Sequence, residues 1–107
     1  MKEQAVLIFC TVPDNNEAKS IARLLIGKKL AACCSIIPNL VSIFNWDDAI
    51  EEANELLLLI KTSQKKYEQV EKEIKMVHSY SVPEIIATPI TEASQAYLDW
   101  IFKNTGE

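Results

Sequence analysis

Apolar residues run almost without a break from Ala5 to Val12, with Val6, Ile8 and Phe9 among them. Such a run predicts a strand buried on both faces, where neither set of alternating positions can be polar. The period then changes. Pro13-Asp14-Asn15-Asn16-Glu17 reads as a helix start, with Asp14 as cap and Glu17 three residues on, as in a capping box. Ala18, Ile21, Ala22 and Leu25 recur at helical spacing, and Gly27-Lys28-Lys29 is placed to close the helix. Ala32 to Trp46 is rich in β-branched and aromatic residues, interrupted at Pro38-Asn39, which predicts a bulge or bend near a sheet edge. Trp46-Asp47-Asp48-Ala49 reads as a tight turn. A long strand follows from about Ile50 to Thr62, longer than a typical strand, so its first half is expected to project beyond the sheet. Ser63 is placed to cap a second helix with Tyr67, Val70, Ile74 and Val77 on one face. Glu84 to Ile90 reads as a fourth strand, at an edge or bulged because of Pro89. Tyr97, Leu98, Ile101 and Phe102 mark a short C-terminal helix.

The order is strand, helix, strand, strand, helix, strand and a last helix. This is the split βαβ pattern of an α+β, ferredoxin-like βαββαβ sandwich with an extra C-terminal helix. In that topology strand three lies between strands one and two, and strand four flanks strand one. The end of strand one, the end of the second helix and the start of strand four then share one end of the sheet. Cys10, His78, Tyr80 and Glu84 are thereby predicted neighbours, and the Trp46-Asp47-Asp48 turn projects from the same end.

Bulk properties narrow the classes. A chain of 107 residues predicts one domain, 1–107, and its 49% hydrophobic content supplies a core without a disulfide scaffold. The net charge is −4, and Arg23 is the only arginine among 11 basic residues. With no basic stripe, nucleic acid is not expected as a partner. No apolar run approaches 20 residues and the first residues lead straight into a strand, so neither a membrane span nor a signal peptide is expected. Three cysteines, Cys10, Cys33 and Cys34, two of them adjacent, predict reduced thiols in a cytoplasm rather than a disulfide framework.

The candidate chemistry gathers around His78, the only histidine. Cys10 and His78 offer one sulfur and one nitrogen, a pair that suits copper or zinc. A closed metal site needs three or four ligands, so Glu84 or a second subunit would have to complete it. The plainer reading makes Cys10 a small buried hydrophobe and His78 a hydrogen-bonded loop residue. Cys33 and Cys34, adjacent in a strand, point to opposite faces and read as packing residues. Asp47, Asp48, Glu51, Glu52 and Glu55 read as solvated surface with a general attraction for cations. Phe44 and Trp46 on a projecting hairpin predict burial against a neighbouring subunit. Trp100 is expected in the core. Cys10, His78 and Glu84 also have the composition of a nucleophile, a base and an orienting group. The chain has only Gly27 and Gly106, so no glycine-rich loop exists, and an enzyme is not expected.

Several stretches together resemble the CutA (divalent-cation tolerance) family. They are Cys10-Thr11-Val12-Pro13-Asp14, Ile21-Ala22-Arg23-Leu24-Leu25, Lys29-Leu30-Ala31-Ala32-Cys33 with Ile37-Pro38, and Ser42-Ile43-Phe44-Asn45-Trp46. Glu55 to Thr62, His78, Tyr80, Pro83-Glu84-Ile85, Pro89-Ile90 and Tyr97-Leu98-Asp99-Trp100 continue the match. The resemblance implies a cytoplasmic homotrimer, PII-like in build, with a role in tolerance of copper and other divalent metals. It implies copper ligands at Cys10 and His78. Three positions depart from the family pattern: Val77 where some members have a second histidine, Ser79 for a proline, and Asp48 for a glycine. The runner-up function is a PII-like signalling or scaffold trimer that binds a small ligand in an intersubunit cleft, with Lys61, Tyr80 and Glu84 as lining residues.

Overall fold

The computed structural model describes residues 3–106. Four strands, β1 (Ala5–Val12), β2 (Cys33–Trp46), β3 (Ala49–Ser63) and β4 (Ile85–Pro89), form one sheet in the order β2-β3-β1-β4. All three neighbouring pairs are antiparallel. Helices α1 (Asn15–Gly27), α2 (Tyr67–Val77) and α3 (Gln95–Lys103) complete the fold. β1 stands in the middle of the sheet, and its apolar run is explained by burial from both faces.

The face carrying Val6, Ile8, Cys10 and Val12 packs with Leu58 and Ile60 of β3 against α1 and α2. α1 contributes Ala18, Ile21, Ala22 and Leu25, the four residues its periodicity selects, and α2 contributes Val70 and Ile74. The opposite face is covered at one end only, where α3 brings Ile101, with Leu98 and Phe102, over Ala5 and Ala32.

Asp14 caps α1 as expected: its carboxylate accepts the Glu17 amide at 2.8 Å. Asp14→Ala is expected to cost about 1 kcal/mol, a fall of roughly 5 °C in Tm, which thermal unfolding followed by circular dichroism measures. Two expected caps are corrected. Gly27 is the last residue of α1; the left-handed position that ends it is Lys29, at φ 58, and the amide of Leu30 returns to the Leu25 carbonyl at 2.8 Å. Ser63 ends β3 and makes no side-chain cap bond; one 3-10 turn, Gln64–Lys66, intervenes before α2.

The bulge is where proline predicts it. β2 and β3 shift register between Ile37 and Leu40, and Asn39 adopts φ 65. The hairpin turn closes on the pair Trp46 and Ala49, with Asp47 at φ 52 and Asp48 at φ 63. Both central residues of the turn are left-handed, so Asp48 takes up the conformation a glycine would supply, which aspartate tolerates better than most residues. β1 pairs with Leu56–Ser63 of β3, whereas Ala49–Glu55 pairs with β2 alone. The first half of β3 therefore leaves the sheet as a two-stranded ribbon, and the molecule measures 45 × 25 × 23 Å.

Candidate functional site

The chemistry expected from the topology does collect at one end of the sheet. α2 stops at Val77 because His78 turns to an extended backbone, φ −73 and ψ 140, while its amide still bonds the Ile74 carbonyl at 2.8 Å. The imidazole is fully buried and uses both nitrogens. Nε2 lies 2.8 Å from the Thr11 carbonyl at the end of β1, and Nδ1 accepts the Tyr80 amide at 3.0 Å. A carbonyl only accepts, so the proton sits on Nε2 and the ring is the neutral Nε2–H tautomer. His78 thus pins the loop after α2 to the strand 67 residues earlier.

Glu17 fixes the same loop from α1. Its Oε2 accepts from the amide and hydroxyl of Ser79, at 3.0 and 3.1 Å, and lies 3.3 Å from His78 Nδ1. Half of the expected capping box is therefore real: Asp14 caps, but the Glu17 carboxylate serves the loop across the molecule. Ser79, which lacks the fixed φ of a proline, has its position set by these two bonds.

Tyr80 reaches from this loop to the point where β3 departs from the sheet. Its hydroxyl donates to Glu55 Oε2 at 2.7 Å, and its ring lies 4.8 Å from His78 between centroids. Burial raises the phenol above its ordinary range, and the Glu55 carboxylate it donates to raises it further. Glu55 is only 7% exposed. It is corrected from solvated surface to the buried acceptor of the tyrosine. Glu17 and Glu55 are the two site residues that the linear pattern does not single out.

Cys10 lies on the core face of β1, level with Ile85, and is completely buried. Burial pushes its thiol up to about 12, with the charges of Glu84, Glu17 and Glu55 adding to the effect. Glu84 is exposed in the loop immediately before β4. Sheet end, imidazole and carboxylates are thus brought together, while the sulfur points into the core. No set of three or more His, Cys, Asp or Glu side chains among the described residues is arranged to hold a metal ion. A single subunit does not fit a closed metal site.

Beside this end runs a groove of about 430 Å³ whose wall includes Glu71, Lys75, Tyr80, Val82 and Pro83. Lys61, expected near a cleft, lies on the open face of the sheet further along β3, with its ammonium 2.7 Å from Ser35 Oγ. Phe44 and Trp46 are on the projecting ribbon, 41% and 49% exposed. Trp100 is corrected from core to surface: it is 42% exposed and stacks on Tyr97 at 5.5 Å.

The fold and the site define a ferredoxin-like α+β protein whose sheet end is organised by a buried histidine. Residues 6–104 match the model of the CutA1 divalent ion tolerance protein family. The chain belongs to that family. It is 45% identical over 104 residues to the divalent-cation tolerance protein CutA of Thermus thermophilus, covering 97% of this chain and 99% of that one. It is 37% identical over 101 residues to the chloroplastic protein CutA of Arabidopsis thaliana, covering 94% of this chain and spanning 56% of the plant protein's length. The crystal structure of CutA1 from the psychrotrophic bacterium Shewanella sp. SIB1 superposes with a TM-score of 0.94 at 39% identity, over 100% of both chains.

Proposed function

We propose that the chain acts in divalent-cation tolerance as a cytoplasmic homotrimer that draws copper or a related cation to the His78 end of its sheet. One observation carries the reading. His78 Nδ1 and Glu17 Oε2 converge to 3.3 Å, and the charges of Asp14, Glu17, Glu55 and Glu84 all bear on Tyr80 or Cys10 at that end. Binding there requires the loop after α2 to open and Nδ1 to give up the Tyr80 amide; a nitrogen beside an oxygen then suits a borderline divalent cation. Glu84, exposed at the rim, is placed to add a second carboxylate, and a neighbouring subunit supplies the remaining positions. Cys10 takes part only if its sulfur leaves the core, so the imidazole and carboxylates carry the affinity. The description of the family and the name of the Thermus thermophilus relative, which refer to divalent-ion tolerance, support the same direction.

Assembly is supported by surface that one subunit leaves uncovered. Open-face residues Ile37 and Ile86 are 44% and 57% exposed. The ribbon adds Val41, Ile43, Phe44, Trp46 and Ile50, the last 82% exposed. An apolar surface of this extent and a ribbon with no third strand both call for a covering partner, and a second copy of the chain offers the same apolar surface in return.

Copper titration of the full chain tests the reading. His78→Ala and Glu17→Gln are each expected to weaken Cu²⁺ binding about tenfold, and Glu84→Gln to weaken it less. Cys10→Ser is expected to leave it unchanged. Equal affinity across wild type and all four variants would remove the cation from this end of the sheet.

A further inference from the structure

Two discontinuities fall at one level of the long hairpin. On β2 the register shifts between Ile37 and Leu40, and Leu40 pairs with Glu55 as the first rung beyond the shift. On β3 the pairing with β1 ends at Leu56, opposite Val12, so Glu55 is the first residue past that pairing. The ribbon therefore starts at Leu40 and Glu55. The bulge bends β2 at the same level where β3 loses its second neighbour, and a two-stranded ladder gives little rigidity of its own.

A side chain of the loop after α2 reaches this hinge. The Glu55 carboxylate is only 7% exposed, and the Tyr80 hydroxyl donates to its Oε2 at 2.7 Å. A buried carboxylate without a donor is costly, so this bond ties the root of the ribbon to Tyr80. The loop sets Tyr80 in turn. Its amide donates to His78 Nδ1 at 3.0 Å, and the residue before it, Ser79, gives its amide and hydroxyl to Glu17. Three links thus run in series from α1 to the hinge: Glu17 to Ser79, His78 to Tyr80, and Tyr80 to Glu55.

We propose that the Tyr80–Glu55 bond is a latch through which the loop after α2 controls the ribbon. With the loop closed, the phenol holds Glu55 inside the fold and the ribbon in place. When the loop opens, the phenol leaves and the carboxylate stays buried without a donor. The root of the ribbon then turns until Glu55 reaches water. In its trigger the device rests on the cation reading above: a cation that displaces the Tyr80 amide from Nδ1 opens the loop and so releases the ribbon that carries Phe44 and Trp46. Coupling of this kind is reciprocal, so release of the ribbon favours the open loop in return.

Hydrogen exchange on the full chain tests the latch, resolved by mass spectrometry to the ribbon (residues 40–46 and 49–55) and to β1. Tyr80→Phe keeps the ring and is expected to speed ribbon exchange about tenfold relative to β1. Glu17→Ala frees the loop from α1. It is expected to speed the same amides, and to add little in the Tyr80→Phe background. Ribbon amides that ignore Glu17→Ala, or respond to it equally with and without the Tyr80 hydroxyl, would overturn the proposal. So would ribbon amides that speed up only in step with β1, the mark of general destabilisation. Cu²⁺ bound to the wild type is expected to act as Glu17→Ala does and to lose that effect in Tyr80→Phe; bound copper without this pattern would overturn the proposal as well. A chain that binds no copper strikes the cation reading alone, and the two variants still decide the latch.

Discussion

Replacing Phe44 and Trp46 together by glutamate is expected to reduce the native mass from that of the proposed trimer to that of a single chain. Both side chains lie on the ribbon beyond the sheet, on the same face as Glu51 and Ala49, their register partners. They are half exposed in the lone subunit, so the substitution removes little of its own packing. In an assembly the same rings would be central aromatic anchors, each commonly worth 2 kcal/mol or more of association. Losing both, and setting two new carboxylates on the face of Glu51, is expected to weaken association by about a thousandfold or more. Light scattering on the variant and wild type measures the mass, and circular dichroism checks that the subunit still folds. A variant that keeps the wild-type mass would show that assembly does not use this ribbon.

Alkaline pH is expected to unfold the protein through its buried thiols. Cys10 and Cys34 are each raised from 9.0 to about 12, chiefly by burial. A thiol whose folded value lies above its unfolded value binds its proton more tightly in the folded chain. That preference is intact below pH 9 and is lost as pH climbs from 9 towards 12. Three pH units on one group correspond to about 4 kcal/mol, and two such groups compare with the whole stability of a typical domain, about 5–15 kcal/mol. Tyr80 and Tyr67, both raised mainly by burial, add the same sign of effect only above pH 10. The urea midpoint of the wild type should therefore fall steeply from pH 9, while that of a Cys10→Ala, Cys34→Ala double variant should hold until about pH 10. Parallel decline of the two proteins would clear the thiols of the effect.

The sheet order, the ribbon and the bulge were legible because each follows from local pattern plus a handedness rule. An apolar run at β1, a proline inside β2 and an over-long β3 leave few arrangements, and the split βαβ connection orders them. The gathering of His78, Tyr80 and Glu84 near the end of β1 is a corollary of that order. What pattern does not carry is the partner of a polar side chain. Glu17 reads as a capping-box carboxylate three residues after Asp14, and only the approach of α2 to α1 offers it Ser79. Glu55 reads as the last of five surface carboxylates; it is buried because it stands where β3 enters the sheet and Tyr80 closes over it. Cys33 and Cys34 both read as packing residues on opposite faces, and only Cys34 joins the core under α1 and α2. Lys29, not Gly27, turns left-handed because the hydrogen bonds of the helix end select the position.

The place of β1 in the sheet governs how the chain must be made. The ribosome delivers β1 first, yet its two hydrogen-bonding partners are Leu56–Ser63 and Ile85–Pro89. The Gln4 side chain closes this strand on the Ile90 carbonyl, 86 residues later. This apolar strand therefore waits unpaired until β3 has emerged, and keeps one open edge until β4 follows. Contacts so distant in sequence slow folding, and an unpaired apolar strand is the kind of surface that aggregates or engages chaperones in the interval. The nascent chain is thus most vulnerable before β4 leaves the ribosome, and the sheet closes only once that strand is free to pair.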